Sequence, residues 1–96
     1  MKTMFYIDQE CPFCIQGQIG FRLCSDGTTI VMVCSECEFV WKSPENTTLA
    51  NAIDAHPPLF RIAELGTAIA SPGRWATHDE IRARGWEQFI AGEASE

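Results

Sequence analysis

Two Cys-x-x-Cys pairs, Cys11/Cys14 and Cys34/Cys37, stand 19 residues apart and constrain this chain more than any other feature. A Cys-x-x-Cys turn presents two sulfurs from one side. Two such turns can therefore supply the four corners of a tetrahedron around one metal ion. For the corners to meet, the intervening residues must fold back on themselves, and they carry the pattern to do so. Ile19, Phe21 and Leu23 alternate with Gly20, Arg22 and Cys24, the period of a half-buried strand. Ser25-Asp26-Gly27-Thr28 is a turn signal, and the β-branched run from Thr29 to Cys34 is the returning strand. With Asp26-Gly27 as a two-residue loop, Leu23 faces Ile30, Phe21 faces Met32 and Ile19 faces Cys34, all on one side. Arg22–Val31 and Cys24–Thr29 then lie on the other. This hairpin returns Cys34 to the neighbourhood of Cys11 and Cys14.

The remaining constraints agree with a metal. At 96 residues the chain has room for one domain with a thin core, which a metal staple would reinforce. Five cysteines suit four ligands and one bystander better than a disulfide framework. The apolar run behind Met1-Lys2-Thr3 stops at Asp8, too short for a signal peptide, and no stretch is long enough to span a bilayer. A reducing cytoplasm is the expectation, where paired cysteines serve as metal ligands. Zinc is the expected ion, and a Cys₄ set leaves no open position for a catalytic water. Iron also suits a tetrahedral four-thiolate site.

The CPFC and CSEC knuckles, the hairpin between them and Phe39-Val40-Trp41 as a third strand resemble the zinc-ribbon proteins. The resemblance covers residues 4–42 and implies a ribbon fold with one structural zinc on Cys11, Cys14, Cys34 and Cys37. It departs in one detail: such knuckles often place glycine directly after the second cysteine, where this chain has Ile15 and Glu38. Zinc ribbons occur in transcription factors, ribosomal proteins, enzymes and adaptors, so the likeness implies a fold and a metal and little about role.

Beyond residue 42 the signals read as helical. Ser43-Pro44-Glu45 looks like a helix start, with Leu49, Ala52 and Ile53 as its apolar face and Pro57-Pro58 as its end. Residues 59–70 allow either a helical turn (Leu59, Ile62, Leu65, stopped by Gly66) or an extended piece over Thr67–Ala70. Thr77-His78-Asp79-Glu80 is a capping box, with Arg82 and Arg84 near the far end and Gly85 as the stop. Trp86, Phe89 and Ile90 suggest a last short helix. The expected fold is α+β: one domain over 1–96, with a three-stranded ribbon at 4–42 and a mostly helical extension at 43–96 packed on it.

Other chemically suggestive residues have plainer explanations. Cys24 falls on the face opposite Cys34 and reads as a packed thiol. His56, before two prolines, and His78, in a first helical turn, lack a partner at ligand spacing. Asp79 and Glu80 read as capping residues. Of Trp41, Trp75 and Trp86, only Trp75 is expected to be exposed. No nucleophile–base pair or phosphate-binding loop is present.

The charge is −6, from 7 Lys+Arg against 13 Asp+Glu, with no basic stripe to meet phosphates. The expectation is a non-enzymatic protein-interaction module for a basic protein, for instance an immunity or antitoxin-type inhibitor. Nucleic acid is not an expected partner, and oligomeric state is left open. Two alternatives stand beside it. One is a nucleic-acid- or transcription-associated ribbon. The other is a glutaredoxin-like thiol redox protein using Cys11 and Cys14, since CPFC also resembles a glutaredoxin active site.

Overall fold

The computed structural model describes residues 3–15, 17–37, 39–53, 61–62, 65–69 and 73–95. Its strands are β1 (Thr3–Glu10), β2 (Gln18–Leu23), β3 (Ile30–Cys34), β4 (Val40–Trp41), β5 (Arg61–Ile62), β6 (Thr67–Ala68), β7 (Arg74–Trp75) and β8 (Ile90–Ser95). There is one short α-helix, α1 (His78–Ala83), and two 3₁₀ turns, Leu49–Asn51 and Glu87–Phe89. The main sheet is antiparallel in the order β4-β3-β2-β1-β8, and β7 pairs with the end of β2 beyond β1. β5 and β6 form a separate small hairpin.

The hairpin register follows from the alternation. Ile19 pairs with Cys34, Phe21 with Met32, Arg22 with Val31 and Leu23 with Ile30. The loop is wider than two residues: the Cys24 N–H bonds the Thr29 carbonyl (2.8 Å), and the Gly27 N–H bonds the Cys24 carbonyl (3.0 Å). Asp26 fills the turn by accepting from the Thr29 hydroxyl (2.6 Å) and from the N–H groups of Thr29 (2.9 Å) and Thr28 (3.0 Å). Gly27 supplies the positive φ (78°).

β3 is buried on both faces, so two apolar layers form. One gathers Ile7, Ile19, Phe21, Leu23, Ile30, Met32 and Trp41 with Ala76 and Ile81. The other gathers Cys24, Val31, Val33 and Val40 under Ile62 and Ile69. Each fully buried large side chain is worth about 1.5–3 kcal/mol.

The expected helical half is not there. Strand makes up 42% and helix 15% of the described residues, so the molecule is a small β-rich domain and not α+β with a helical extension. Three local reasons account for this. At Ser43-Pro44 the hydroxyl caps the Glu45 N–H (3.2 Å), and the chain makes a turn closed by Asn46 N–H to Ser43 carbonyl (3.3 Å). Trp41 Nε1 then donates to the Thr48 carbonyl (2.8 Å), and Ile53 exchanges both backbone bonds with Val40 (3.1 and 2.6 Å). These tertiary bonds hold the segment out of a helix, and Leu49 stays 58% exposed. Ile62 lies on a strand paired with Thr67, with Gly66 at φ 66° between them, so the described part of this stretch is extended; Leu59 and Ala70 lie outside the described residues. After the 3₁₀ turn at Glu87–Phe89, Ile90 begins β8 and not a helix, because its backbone pairs antiparallel with β1: Ile7 with Ile90 and Tyr6 with Gly92, where a Cβ on Gly92 would meet the Tyr6 hydroxyl oxygen at 2.5 Å.

The capping box of α1 forms as the pattern predicts. Thr77 and Glu80 cap each other's backbone N–H groups (3.2 and 2.8 Å), and Gly85 follows at φ 83°. His56 and the Pro57-Pro58 stop lie outside the described residues.

Candidate metal centre

Cys11 follows the last residue of β1, and Cys34 is the last residue of β3. Because β1 and β3 flank β2, the sheet itself brings the two knuckles to one end of the molecule. The first knuckle turns with an Ile15 N–H to Cys11 carbonyl bond (3.0 Å). The second is tied to the start of β2 twice, by Ser35 N–H to the Gln18 carbonyl (2.9 Å) and Gln18 N–H to Ser35 Oγ (3.1 Å). Phe13 of the first knuckle stacks on Phe39 beyond the second, with ring centroids 3.9 Å apart.

The four Sγ atoms of Cys11, Cys14, Cys34 and Cys37 all lie within 4.8 Å of one another. The nearest contacts cross between knuckles: Cys11 to Cys37 at 3.4 Å and Cys14 to Cys34 at 3.6 Å. A tetrahedron with metal–sulfur bonds of about 2.3 Å has edges of about 3.8 Å, so four soft donors stand close to the spacing that one thiophilic ion requires. The four could hold one metal ion, and none is in a disulfide. Among the described residues no other group of three or more potential ligands comes together.

The surroundings suit charged sulfur. The N–H groups of Glu36 (3.4 Å) and Cys37 (3.5 Å) point at Cys34 Sγ, the usual way a protein supports a thiolate ligand. Cys11 and Cys34 are fully buried and Cys14 and Cys37 half-buried. Burial first, and the neighbouring Cys11 and Cys34 sulfurs after it, push the Cys37 thiol up to about 12, and burial raises Cys34 as well. A bound dication reverses that balance by drawing off the protons.

One residue beside the cysteine cluster, Gly17, was not picked out from the sequence. Gly17 is buried against Cys34: a Cβ there would lie 2.5 Å from Cys34 Sγ and 3.0 Å from the Glu36 side chain. Its signal was a glycine closely following the first knuckle, which reads only as a break in helicity. Ile15 takes φ 57°, the left-handed conformation for which glycine is suited, so the departure noted in the sequence is a strained position.

The other candidates lie elsewhere. Cys24 sits in the second apolar layer, where burial first and the Asp26 charge second push its thiol up to about 11. His78 is exposed on α1, with Nε2 3.0 Å from Glu87. Glu80 is held down to about 2, first by a bidentate pair with Arg74 (2.8 and 2.7 Å), and Asp79 pairs with Arg82 (2.7 Å). Trp75 is half-buried under the Arg22 guanidinium (5.0 Å), not exposed. Among the described residues no helix is long and apolar enough to cross a membrane. No protein-family model matches the chain, and no curated protein or solved structure is significantly similar to it.

Proposed function

We propose that Cys11, Cys14, Cys34 and Cys37 hold one structural zinc ion in a zinc-ribbon-like centre, and that the chain is a non-catalytic module binding a basic protein. The observation that carries this is the convergence of four sulfurs within 4.8 Å at one end of the sheet. When bound, the ion cross-links the end of β1 to the end of β3 and contributes folding free energy. Four protein thiolates complete its shell, which supports a structural and not a catalytic role.

The interaction reading draws on charge. The net charge is −6, and among the described residues basic side chains are already engaged: Arg74 and Arg82 in ion pairs, Arg22 on the Ile69 and Gly73 carbonyls, and Arg84 over the Trp86 ring (4.7 Å). Phosphate binding gains nothing from such a surface. A redox reading lacks its usual device, because Cys14 leads through left-handed Ile15 into β2 and not into a helix whose N-terminus would stabilise a thiolate.

The test is elemental analysis of protein purified without added metal, followed by retention of basic proteins at low and high salt. One zinc per chain and salt-sensitive capture of a basic protein is the expected result. Iron in the site would replace the zinc assignment. Metal-free protein with disulfide reductase activity, or tight binding to nucleic acid, would overturn the reading.

A further inference from the structure

Ile15 has little to gain within this molecule from being what it is. It is the one non-glycine residue with positive φ among those described, a conformation that penalises a β-branched side chain. Its side chain is 66% exposed, so burial does not offset the strain. It lines a groove of about 420 Å³ between the end of β1 and the first knuckle, together with Tyr6, Ile7, Asp8, Glu10 and Gln18. Asp8 and Glu10 are exposed, and neither forms an ion pair among the described residues. β8 pairs with β1 only as far as Ile7, so residues 8–10 run past the last rung on that side. Across the knuckle Phe13 is 41% exposed.

We infer that this groove is the docking surface for an extended cationic protein segment. Its lysine or arginine side chains meet Asp8 and Glu10, and an apolar side chain packs on Ile15. The inference rests on the interaction reading above and gives that reading a location and a partner chemistry. Charge complementarity selects the occupant: two exposed carboxylates without an ion pair among the described residues, on a chain of net charge −6, attract a cationic segment and repel a nucleic acid. The groove follows a strand that outruns its neighbour, which suits an extended segment better than a helix. An apolar residue kept exposed at a strained position is explained when the contact it serves forms only in the complex.

The test uses the full metal-loaded chain, isotopically labelled and titrated with a short amidated peptide of alternating lysine and leucine. The same peptide with glutamate for lysine is the control. The lysine peptide should shift the amides of Asp8, Gln9, Glu10, Ile15 and Gly17, with affinity falling as salt rises. Binding should weaken roughly tenfold in Ile15→Gly and in the double variant Asp8→Asn/Glu10→Gln, each still holding its metal. Shifts centred elsewhere, with affinity untouched by these variants, would overturn the groove and leave the interaction reading standing. Equal binding of the glutamate peptide would overturn the charge argument. A protein that binds neither the peptide nor any basic protein would overturn both.

Discussion

Ile15 and Gly17 flank the first knuckle with opposite conformational needs, and each gives a sharp expectation. Ile15→Gly removes a β-branched side chain from a left-handed position and should raise stability by about 1 kcal/mol, read as a higher midpoint in urea. An unchanged or lower midpoint would mean the position is not strained. Gly17→Ala places a methyl 2.5 Å from Cys34 Sγ, so the Cys34 sulfur must move. Metal affinity should fall roughly tenfold to a hundredfold, measured by competition with a chromophoric chelator. Cys24 should resist alkylation by iodoacetamide at neutral pH in the native protein, because burial keeps its thiol protonated to about pH 11. At this scale the clustering of the four cysteines was legible, since Cys-x-x-Cys spacing is a property of residues alone. The glycine that makes room for Cys34 was not, because its reason lies across the sheet.

Among elements, the β2–β3 hairpin was legible down to its register, since period-two alternation and a turn signal pointed to the same pairing. The α1 capping box was legible too, being a contact within four residues. Thr77→Ala should cost about 1 kcal/mol by thermal or urea unfolding, and no loss would show the cap to be decorative. What sequence reading missed was segments whose conformation is set by distant partners. Leu49, Ala52 and Ile53 have helical spacing, but the Trp41 indole and the Val40 backbone claim Thr48 and Ile53 first. Trp86, Phe89 and Ile90 likewise look helical until Ile90 is seen to pair with β1. The pH dependence also belongs to elements. Asp26 is lowered from 3.8 to about 2, chiefly by the Thr29 hydroxyl, and Glu80 from 4.5 to about 2, chiefly by Arg74. Both folded values lie below the unfolded ones, so their stabilisation is complete above the unfolded values and is lost as pH falls towards 2. The stability gap between the native chain and Asp26→Asn should therefore be the same at pH 7 and pH 5 and narrow only below about pH 4. A gap that closes between pH 7 and 5 would contradict the assignment.

For the molecule as a whole, the centre and the sheet depend on each other. β1 and β3 carry the first and second knuckles, and β8 closes the sheet on β1 from the far end of the chain. A core this small gains much from a cross-link at the end where β1, β2 and β3 meet. The most direct test of the account is circular dichroism of the metal-loaded protein in the near and far ultraviolet at pH 7, before and after a strong chelator. The account predicts that one equivalent of zinc is released and that the tertiary signal collapses with it, returning when zinc is restored. A chain that releases its metal and keeps its near-ultraviolet spectrum, or that never held one, would contradict the claim that the four cysteines are a structural metal centre.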